Sequence, residues 1–175
     1  MPTNAHEGVS FDALFEREFS YVCRSLRRLG VKESDIDDLA QEVFLNVHRH
    51  LPEYDAERPL KPWLFSFAYG AAANYRRLAR HRVERHESDD AFASSNDGPE
   101  QALENARARD LVLRILSSLD GDRAAVFVMH ELDGFAAPDI AEALKIPLNT
   151  VYSRLRVARE EFAAAARRVQ KGGRA

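Results

Sequence analysis

The stretch that decides the fold covers residues 139–155 and reads DIAEALKIPLNTVYSRL. Its apolar residues recur at helical spacing on both sides of a short interruption, at Ile140, Ala141, Leu144, Ile146, Val151 and Leu155. Residues three or four apart share one face of a helix, so the first three give a short helix its inner face and the last two seat a second helix. Ile146 fills the corner, beside a tight turn at residues 145–147. This spacing predicts a helix-turn-helix.

The outward positions of the second helix carry polar side chains, at Asn149, Thr150, Tyr152, Ser153, Arg154 and Arg156. Side chains of this kind reach base edges and phosphates in the major groove of DNA. Between residues 145 and 175, eight basic residues outnumber two acidic ones, a balance of roughly +6 that is typical of a DNA-binding element. A helical hairpin with a solvated basic face would show the same pattern, so this motif alone favours DNA binding without requiring it.

The N-terminal part of the chain holds three amphipathic segments, and none has the alternation of a strand. Gly30 ends the first segment. The second follows residues 34–37, whose sequence has the form of a capping box, and Pro52 stops it. The third begins at Pro59 and becomes basic after residue 75. These segments predict a helical domain separate from the helix-turn-helix.

The apolar period disappears between residues 84 and 104, where seven acidic residues and one arginine give a charge of roughly −6. This stretch is rich in Ser, Asp, Asn and Gly, and it accounts for more than the net charge of −3 on the whole chain. We therefore expect an all-α protein of two small helical domains, residues 8–84 and 102–170. A flexible acidic linker over residues 85–101 joins them.

Composition excludes several classes of protein. The single cysteine, Cys23, cannot form an internal disulfide, and His48 and His50 point to different faces of a helix, so no metal site is expected. Neither a phosphate-binding glycine loop nor a nucleophile elbow is present, which predicts a protein that is not an enzyme and uses no cofactor. No apolar run is long enough to span a membrane and no signal peptide is evident, so a cytoplasmic location is expected.

Two further stretches extend the interpretation. Residues 38–47, DLAQEVFLNV, and residues 63–68, WLFSFA, resemble the region-2 domain of the extracytoplasmic-function (ECF, group 4) sigma factors, and residues 119–161 resemble their region-4 domain. The resemblance implies a subunit that binds core RNA polymerase and directs promoter-specific transcription initiation. Its implied partners are the clamp helices and flap of core RNA polymerase, promoter DNA and an anti-sigma factor.

The resemblance also implies sites for these partners. The second helix would bind the polymerase clamp helices through Asp37, Asp38, Gln41, Glu42, Phe44 and Asn46, although a solvated acidic face over a packed stripe is also compatible with these residues. The −10 element, with one unstacked base, would meet Tyr54, Arg58, Lys61, Asn74, Arg76, Arg77 and Arg80. In the −35 element, bases would face Tyr152, Ser153 and Arg156, and phosphates would lie nearer Thr150, Arg154 and Arg159. The helical spacing of Trp63 favours a core position.

Four positions depart from the family pattern. Gly70 stands where the family commonly has Asn beneath the flipped base, and Tyr152 stands where many members have a basic residue. Ala136 and Ala137 replace the usual Ser or Thr cap of the first helix of the helix-turn-helix, a loss of about 1 kcal/mol if nothing else binds those amides.

Two alternatives to a sigma factor remain open. An autonomous helix-turn-helix regulator would bind an operator tightly by itself. A module that binds only protein would be indifferent to the combined substitutions Arg154→Ala and Arg156→Ala.

Overall fold

A computed structural model describes the backbone of residues 10–83 and 100–172. Both described ranges are helical and neither contains a β-strand, which confirms the all-α prediction. The helices are α1 (Phe11–Arg28), α2 (Ile36–His50), α3 (Leu60–Val83), α4 (Glu100–Ser117), α5 (Gly121–Phe127), α6 (Ala137–Ala143) and α7 (Leu148–Gly172). The predicted linker, residues 85–101, lies mainly outside the described residues, and it stays a prediction together with the two domain boundaries.

Helices α1, α2 and α3 pack on one another as a three-helix unit, called the first unit below. Apolar residues three and four apart bring one face of each helix into a shared core: Leu14, Val22, Leu26, Val43, Phe44, Leu64 and Phe65 are all almost fully buried. Full burial of such a side chain contributes about 1.5–3 kcal/mol. Apolar packing among the three helices therefore holds this unit together.

Gly30 ends α1 as the sequence predicts. Its φ of +86° is the left-handed conformation that glycine adopts without a steric penalty. The amide of Gly30 donates to the carbonyl of Arg27 at 3.1 Å, and the amide of Val31 donates to the carbonyl of Leu26 at 3.1 Å. This pair of bonds is a Schellman motif, and buried Val31 packs at its end.

The predicted capping box at residues 34–37 is wrong. Glu33–Asp35 forms a 3₁₀ turn, α2 starts at Ile36, and no side chain caps either element. The hydroxyl of Ser34 donates to the carboxylate of Asp35 at 3.2 Å instead of binding a helix amide. The chain therefore enters α2 through a tight turn, which the sequence pattern did not distinguish from a capped start.

Helices α4 to α7 form the second unit, in which α7 packs against α4, α5 and α6. Asp120 caps α5 by accepting the amide of Asp122 at 3.1 Å. After α5 the chain widens into a π turn, Val128–Leu132, and Gly134 with a φ of +74° closes it. The core of this unit contains Leu116, Val126, Met129, Ile140, Val151, Leu155 and Ala158.

The two units are in direct contact, because α3 packs against α6 and α1 packs against α4. Of the helices in the described part of the chain, none combines the length and the apolar character needed to cross a membrane.

Candidate DNA- and polymerase-binding surfaces

The helix-turn-helix forms where the sequence predicts it. Helix α6 ends at Ala143, Lys145 turns the chain with a φ of 54°, and the amide of Ile146 donates to the carbonyl of Ala141 at 3.0 Å. Buried Ile140 and Val151 join the two helices. As the departure from the family pattern predicts, no side chain caps α6. The first turn of α6 contains Pro138, which has no amide hydrogen to satisfy.

Most of the predicted −35 contacts lie on the solvent-facing side of α7. Asn149, Tyr152, Ser153, Arg156 and Arg159 are exposed, and the Tyr152 side chain stands out with 53% of its residue surface accessible. Thr150 is half-buried, and its carbonyl accepts the hydroxyl of Ser153 at 3.0 Å. The structure therefore brings the proposed base-facing residues together on one exposed surface.

Two of the exposed arginines already have carboxylate partners within the second unit. Arg156 pairs with Glu160 at 2.9 Å, one turn along α7. Both Nε and Nη2 of Arg159 donate to Glu131 Oε1, at 2.8 and 2.6 Å. The hydrogen bonds from Arg159 are the main reason that the pKa of Glu131 lies below its usual value. Both pairs are solvent-accessible, so a phosphate can displace the carboxylate at small cost.

Arg154 differs from its neighbours on α7. Its Nη2 atom donates to Oδ2 of Asp122 on α5 at 2.5 Å, and only 27% of the side chain is exposed. The structure thus turns Arg154 toward α5 and away from the surface that carries Tyr152 and Arg156. Sequence reasoning missed Asp122 as its partner, because 32 residues separate the two.

Helix α2 exposes the predicted polymerase-binding face, with one correction. Asp37, Asp38, Gln41 and Glu42 are exposed and Asn46 is half-buried. Phe44 is only 1% exposed, so its assignment to this surface is wrong. Its ring packs among three rings of α1, at centroid distances of 6.4 Å from Phe11, 4.9 Å from Phe15 and 6.0 Å from Phe19.

The next residue, Leu45, is 60% exposed, so it is the large apolar side chain that this face of α2 presents to solvent. Sequence reasoning missed it. The signal was available, because Ala40, Val43, Phe44 and Val47 already fill the inner face of α2 and leave Leu45 to point outward.

An aromatic stack occupies the start of α3 and the loop before it. The ring of Tyr54 lies 4.6 Å from Trp63, and Trp63 meets the edge of Phe67 at 4.9 Å. The Tyr54 hydroxyl donates to the carbonyl of Arg58 at 2.5 Å, and burial raises the pKa of this hydroxyl. Trp63 is half-buried and packs against the apolar core, so it lies at the edge of the core that its spacing predicts. Lys61 places its ammonium 5.4 Å from the centre of the Tyr21 ring.

The basic end of α3 divides into exposed and inward-turned residues. Asn74, Arg77 and Arg80 are exposed, and Arg77 donates to the Asn74 carbonyl oxygen at 2.8 Å. Arg76 instead points inward, where Nη1 donates to the carbonyl of Leu29 at the end of α1 at 2.5 Å. Desolvation lowers its pKa. The prediction that Arg76 faces DNA therefore does not hold in this conformation.

Gly70 lies on an exposed part of α3, and a Cβ placed there would have no other atom within 4 Å. The position where the family commonly has Asn is therefore open space. Among the residues that the structure describes, no group of three or more His, Cys, Asp or Glu side chains is arranged to hold a metal ion.

Family models match both units. Residues 14–82 match Sigma-70 region 2, and residues 109–162 match Sigma-70, region 4. The chain is 28% identical to RNA polymerase sigma factor NccH of Alcaligenes xylosoxydans, over 89% of this chain and 86% of NccH. It is 29% identical to the ECF RNA polymerase sigma-E factor of Escherichia coli K12, over 86% of this chain and 83% of that protein.

Solved structures show the same fold. CnrH in complex with the cytosolic domain of CnrY aligns with a TM-score of 0.62 at 24% identity, over 92% of this chain and 90% of CnrH. The sigma factor RpoE in complex with the anti-sigma factor NepR from Bartonella quintana aligns with a TM-score of 0.70 at 17% identity, over 90% of this chain and 96% of RpoE.

A region-2 unit followed by a region-4 helix-turn-helix defines a transcription initiation factor. The chain belongs to the sigma-70 family, within its extracytoplasmic-function group. As a member of this group it binds core RNA polymerase and promoter DNA and directs promoter-specific transcription initiation.

Proposed function

We propose that the two units divide the work of promoter recognition, with the first unit binding polymerase and the −10 element and the second unit reading the −35 element. The observation that carries this proposal is the outer face of α7. Tyr152, Ser153 and Arg156 are exposed there, while Val151 and Leu155 of the same turns are buried in the core. A helix seated in this way presents a fixed set of side chains to a major groove.

The exposed residues of α7 define the chemistry of the −35 contact. Arg156 can donate two hydrogen bonds to the O6 and N7 atoms of guanine, the commonest specific contact in the major groove. The Tyr152 ring offers an apolar surface to a thymine methyl group, and its hydroxyl can donate or accept one hydrogen bond. Because Tyr152 replaces a basic residue of many family members, we expect a different base preference at that position.

The −10 contact is proposed for the aromatic stack and the basic end of α3. Stacking on an aromatic side chain contributes about 1–3 kcal/mol per base, enough to offset the extrusion of one base from the duplex. Tyr54 and Trp63 supply the rings, and Lys61 lies beside them. Arg77 and Arg80 are exposed for phosphates about four to five turns further along α3.

Polymerase binding is proposed for the exposed face of α2. Leu45 forms an apolar centre, and the carboxylates of Asp38 and Glu42 lie around it on the same helix. An apolar contact surrounded by charge is a common arrangement for a protein interface, in which the apolar centre carries most of the affinity. The acidic residues would favour a basic partner surface.

Control by an anti-sigma factor completes the proposal. CnrH was solved with the cytosolic domain of CnrY, and RpoE was solved with the anti-sigma factor NepR. We infer that this chain has a partner of the same kind, which covers its polymerase-binding surface. Because the chain acts with polymerase on chromosomal DNA, we place it in the cytoplasm.

Reconstitution with core RNA polymerase tests the assignment of α7. We expect Arg156→Ala to weaken promoter binding by the holoenzyme about 5- to 150-fold, equivalent to 1–3 kcal/mol, without changing core binding. Arg167→Ala is the matched control, because it removes the same charge from an exposed position further along α7. Equal losses in the two variants would mean that charge alone, and not base reading, supports binding.

The same reconstitution tests the assignment of α2. Leu45→Arg should weaken binding to core polymerase at least tenfold, while the variant stays folded. Val169→Arg introduces the same side chain at another exposed apolar position, 42% accessible, and should leave core binding unchanged. If Leu45→Arg binds core polymerase as tightly as the wild type does, the exposed face of α2 is not part of the interface.

A further inference from the structure

Gly70 lies in the interior of a long helix, where glycine is unfavourable. Helix α3 covers Leu60–Val83 without interruption, so Gly70 is about three turns from its start and more than three turns from its end. Relative to alanine, a glycine at such a position lowers the folding equilibrium constant about fivefold, because it leaves the unfolded main chain freer. Glycine therefore needs a physical reason at this position.

Neither the backbone nor the packing of the free protein supplies that reason. Gly70 does not have the positive φ that Gly30 and Gly134 have. A Cβ built on Gly70 would meet nothing from the rest of the fold within 4 Å, whereas a Cβ on Gly121 would lie 2.5 Å from Nη2 of Arg76. Alanine would therefore fit at position 70 without strain. The physical reason that remains is a bound partner that approaches the main chain closely.

Gly70 is on the outward side of α3. Successive residues turn by about 100° around a helix axis, so residues three, four and seven apart share one side. On the side of Gly70 these are Trp63, Phe67, Asn74 and Arg77, which together with Gly70 are called the outer stripe below. Gly70, Asn74 and Arg77 are exposed, and the two rings are half-buried. The fully buried residues of α3 lie on the opposite side, at Leu64, Phe65, Ala68 and Ala72.

The outer stripe offers different chemistry at its two ends. At one end the Trp63 ring meets the edge of Phe67, with 4.9 Å between the ring centroids. At the other end Nη2 of Arg77 donates to the Asn74 carbonyl oxygen at 2.8 Å. Aromatic rings stack on bases and a guanidinium binds phosphate, so the two ends suit the two parts of a nucleic acid strand. This combination favours a nucleic acid strand over a protein as the partner.

A strand that binds both ends of the outer stripe has to cross Gly70. Trp63 and Arg77 are separated by about 21 Å along the helix axis, and Gly70 lies halfway between them. A stacked DNA strand advances about 3.4 Å per nucleotide, so about six nucleotides span this distance. Without a Cβ at position 70, a sugar or a base can contact the main chain of α3. A methyl group there would displace it by about 1.5 Å, the length of one carbon–carbon bond.

We propose that Gly70 is a positioning residue for the −10 strand: it lets the unpaired strand lie directly against the main chain of α3, between the rings of Trp63 and Phe67 and the guanidinium of Arg77. This inference rests on the proposed function, because it requires α3 to bind the −10 strand. Glycine at this position lowers the stability of the free protein and raises its affinity for the strand. A larger residue should therefore have opposite effects on the two properties.

Thermal unfolding of Gly70→Ala and Gly70→Leu tests the effect on stability. Both residues favour a helix more than glycine does, and the space around the Cβ is open. In unfolding followed by circular dichroism, the Tm should rise by about 2–4 °C for Gly70→Ala and by a similar or slightly smaller amount for Gly70→Leu. A lower Tm for Gly70→Ala would mean that the free protein itself requires glycine here, and it would overturn the proposal.

Binding of fork-junction DNA by the reconstituted holoenzyme tests the effect on affinity. The probe comes from a promoter at which the wild-type holoenzyme initiates; it is duplex through the −35 element and single-stranded over the −10 element. Gly70→Ala should weaken binding about fivefold and Gly70→Leu up to about 150-fold, because the cost of a forced contact grows with the inserted side chain. A duplex that ends upstream of the −10 element should bind equally to the wild type and both variants.

The matched controls are Ser20→Ala and Ser20→Leu, which place the same two side chains at an exposed position in the middle of α1. Both residues also favour a helix more than serine does, so the Tm should not fall. Binding to the fork and to the duplex should equal that of the wild type. If the Ser20 variants weaken fork binding as much as the Gly70 variants do, the contact at position 70 is not the cause and the proposal is overturned.

The wild-type holoenzyme separates a failure of this inference from a failure of the proposed function. If it binds the fork no more tightly than the duplex without a −10 element, it makes no −10 contact, and both proposals fail. If it prefers the fork but the Gly70 variants bind the fork equally well, only the inference about Gly70 fails. Weaker binding of Gly70→Ala to core polymerase alone would assign position 70 to a protein contact and would also overturn the inference.

Discussion

Arg154 and Arg156 lie two residues apart on α7, but the structure predicts different results when each is replaced by alanine. Arg154 is 27% exposed and is held by Asp122 at 2.5 Å, whereas Arg156 is 68% exposed and pairs only with Glu160 along its own helix. We predict that Arg154→Ala lowers the stability of the second unit, and that Arg156→Ala lowers promoter affinity.

The magnitudes follow from exposure. A hydrogen bond to a charged group contributes about 1.5–3 kcal/mol, and because 45% of the Asp122 side chain is exposed, solvent screening reduces the expected loss to about 1–1.5 kcal/mol. With a urea dependence of about 2 kcal/mol per molar, the unfolding midpoint of Arg154→Ala should fall by about 0.5–0.8 M. The Arg156–Glu160 pair contributes about 0.3–0.5 kcal/mol, so Arg156→Ala should unfold within error of the wild type.

Urea denaturation followed by circular dichroism gives the first quantity, and promoter binding by the reconstituted holoenzyme gives the second. The reasoning is refuted if Arg154→Ala unfolds at the wild-type midpoint and weakens promoter binding as much as Arg156→Ala. That result would mean that Arg154 faces the DNA and that its contact with Asp122 contributes nothing.

Three further predictions concern stability and titration. Phe44→Ala should lower the unfolding free energy by about 3–5 kcal/mol, whereas Leu45→Ala should change it by less than about 0.5 kcal/mol; equal effects in a urea series would contradict the burial of Phe44. Lys145→Gly should raise the unfolding free energy by about 0.5–1 kcal/mol, since glycine relieves a left-handed residue but adds freedom to the unfolded chain, and a lower unfolding free energy would contradict this. Burial and the charge of Asp122 raise the pKa of Tyr69 to about 12, so the neutral phenol stabilises the fold up to about pH 10 and this contribution is lost between about pH 10 and 12. Ultraviolet titration should show a tyrosine ionising near pH 12 that disappears in Tyr69→Phe, and an unchanged curve would rule out this assignment.

The features that the sequence predicts correctly depend on near neighbours in the chain. Gly30 ends α1 because a left-handed residue is needed within two residues of the last helical turn, and glycine is the residue that adopts it without strain. Ile140 and Val151 define the helix-turn-helix because their spacing fixes both helices on one core. The missing cap at Ala136 follows directly from its side chain.

The features that the sequence did not predict depend on residues far apart in the chain. Arg76 looks like part of a basic row on α3, yet it turns inward to a carbonyl 47 residues away. Asp133 looks like a loop residue, yet it bonds to Tyr21, 112 residues earlier. Neither spacing nor composition reports which distant surfaces meet. Phe44 is a different case, because the family resemblance suggested an exposed role and the helical spacing of α2 would have corrected it.

Transcription from chromosomal DNA by core RNA polymerase and this chain, read by sequencing the RNA 5′ ends, tests the central claim most directly. We predict initiation at a defined set of sites that share an upstream and a downstream element, and a changed preference in the upstream element alone for Tyr152→Ala. Polymerase that initiates no more selectively with the chain than without it would contradict the account. Start sites of the Tyr152→Ala variant that are identical to those of the wild type would also contradict the account, because α7 would then take no part in reading the promoter.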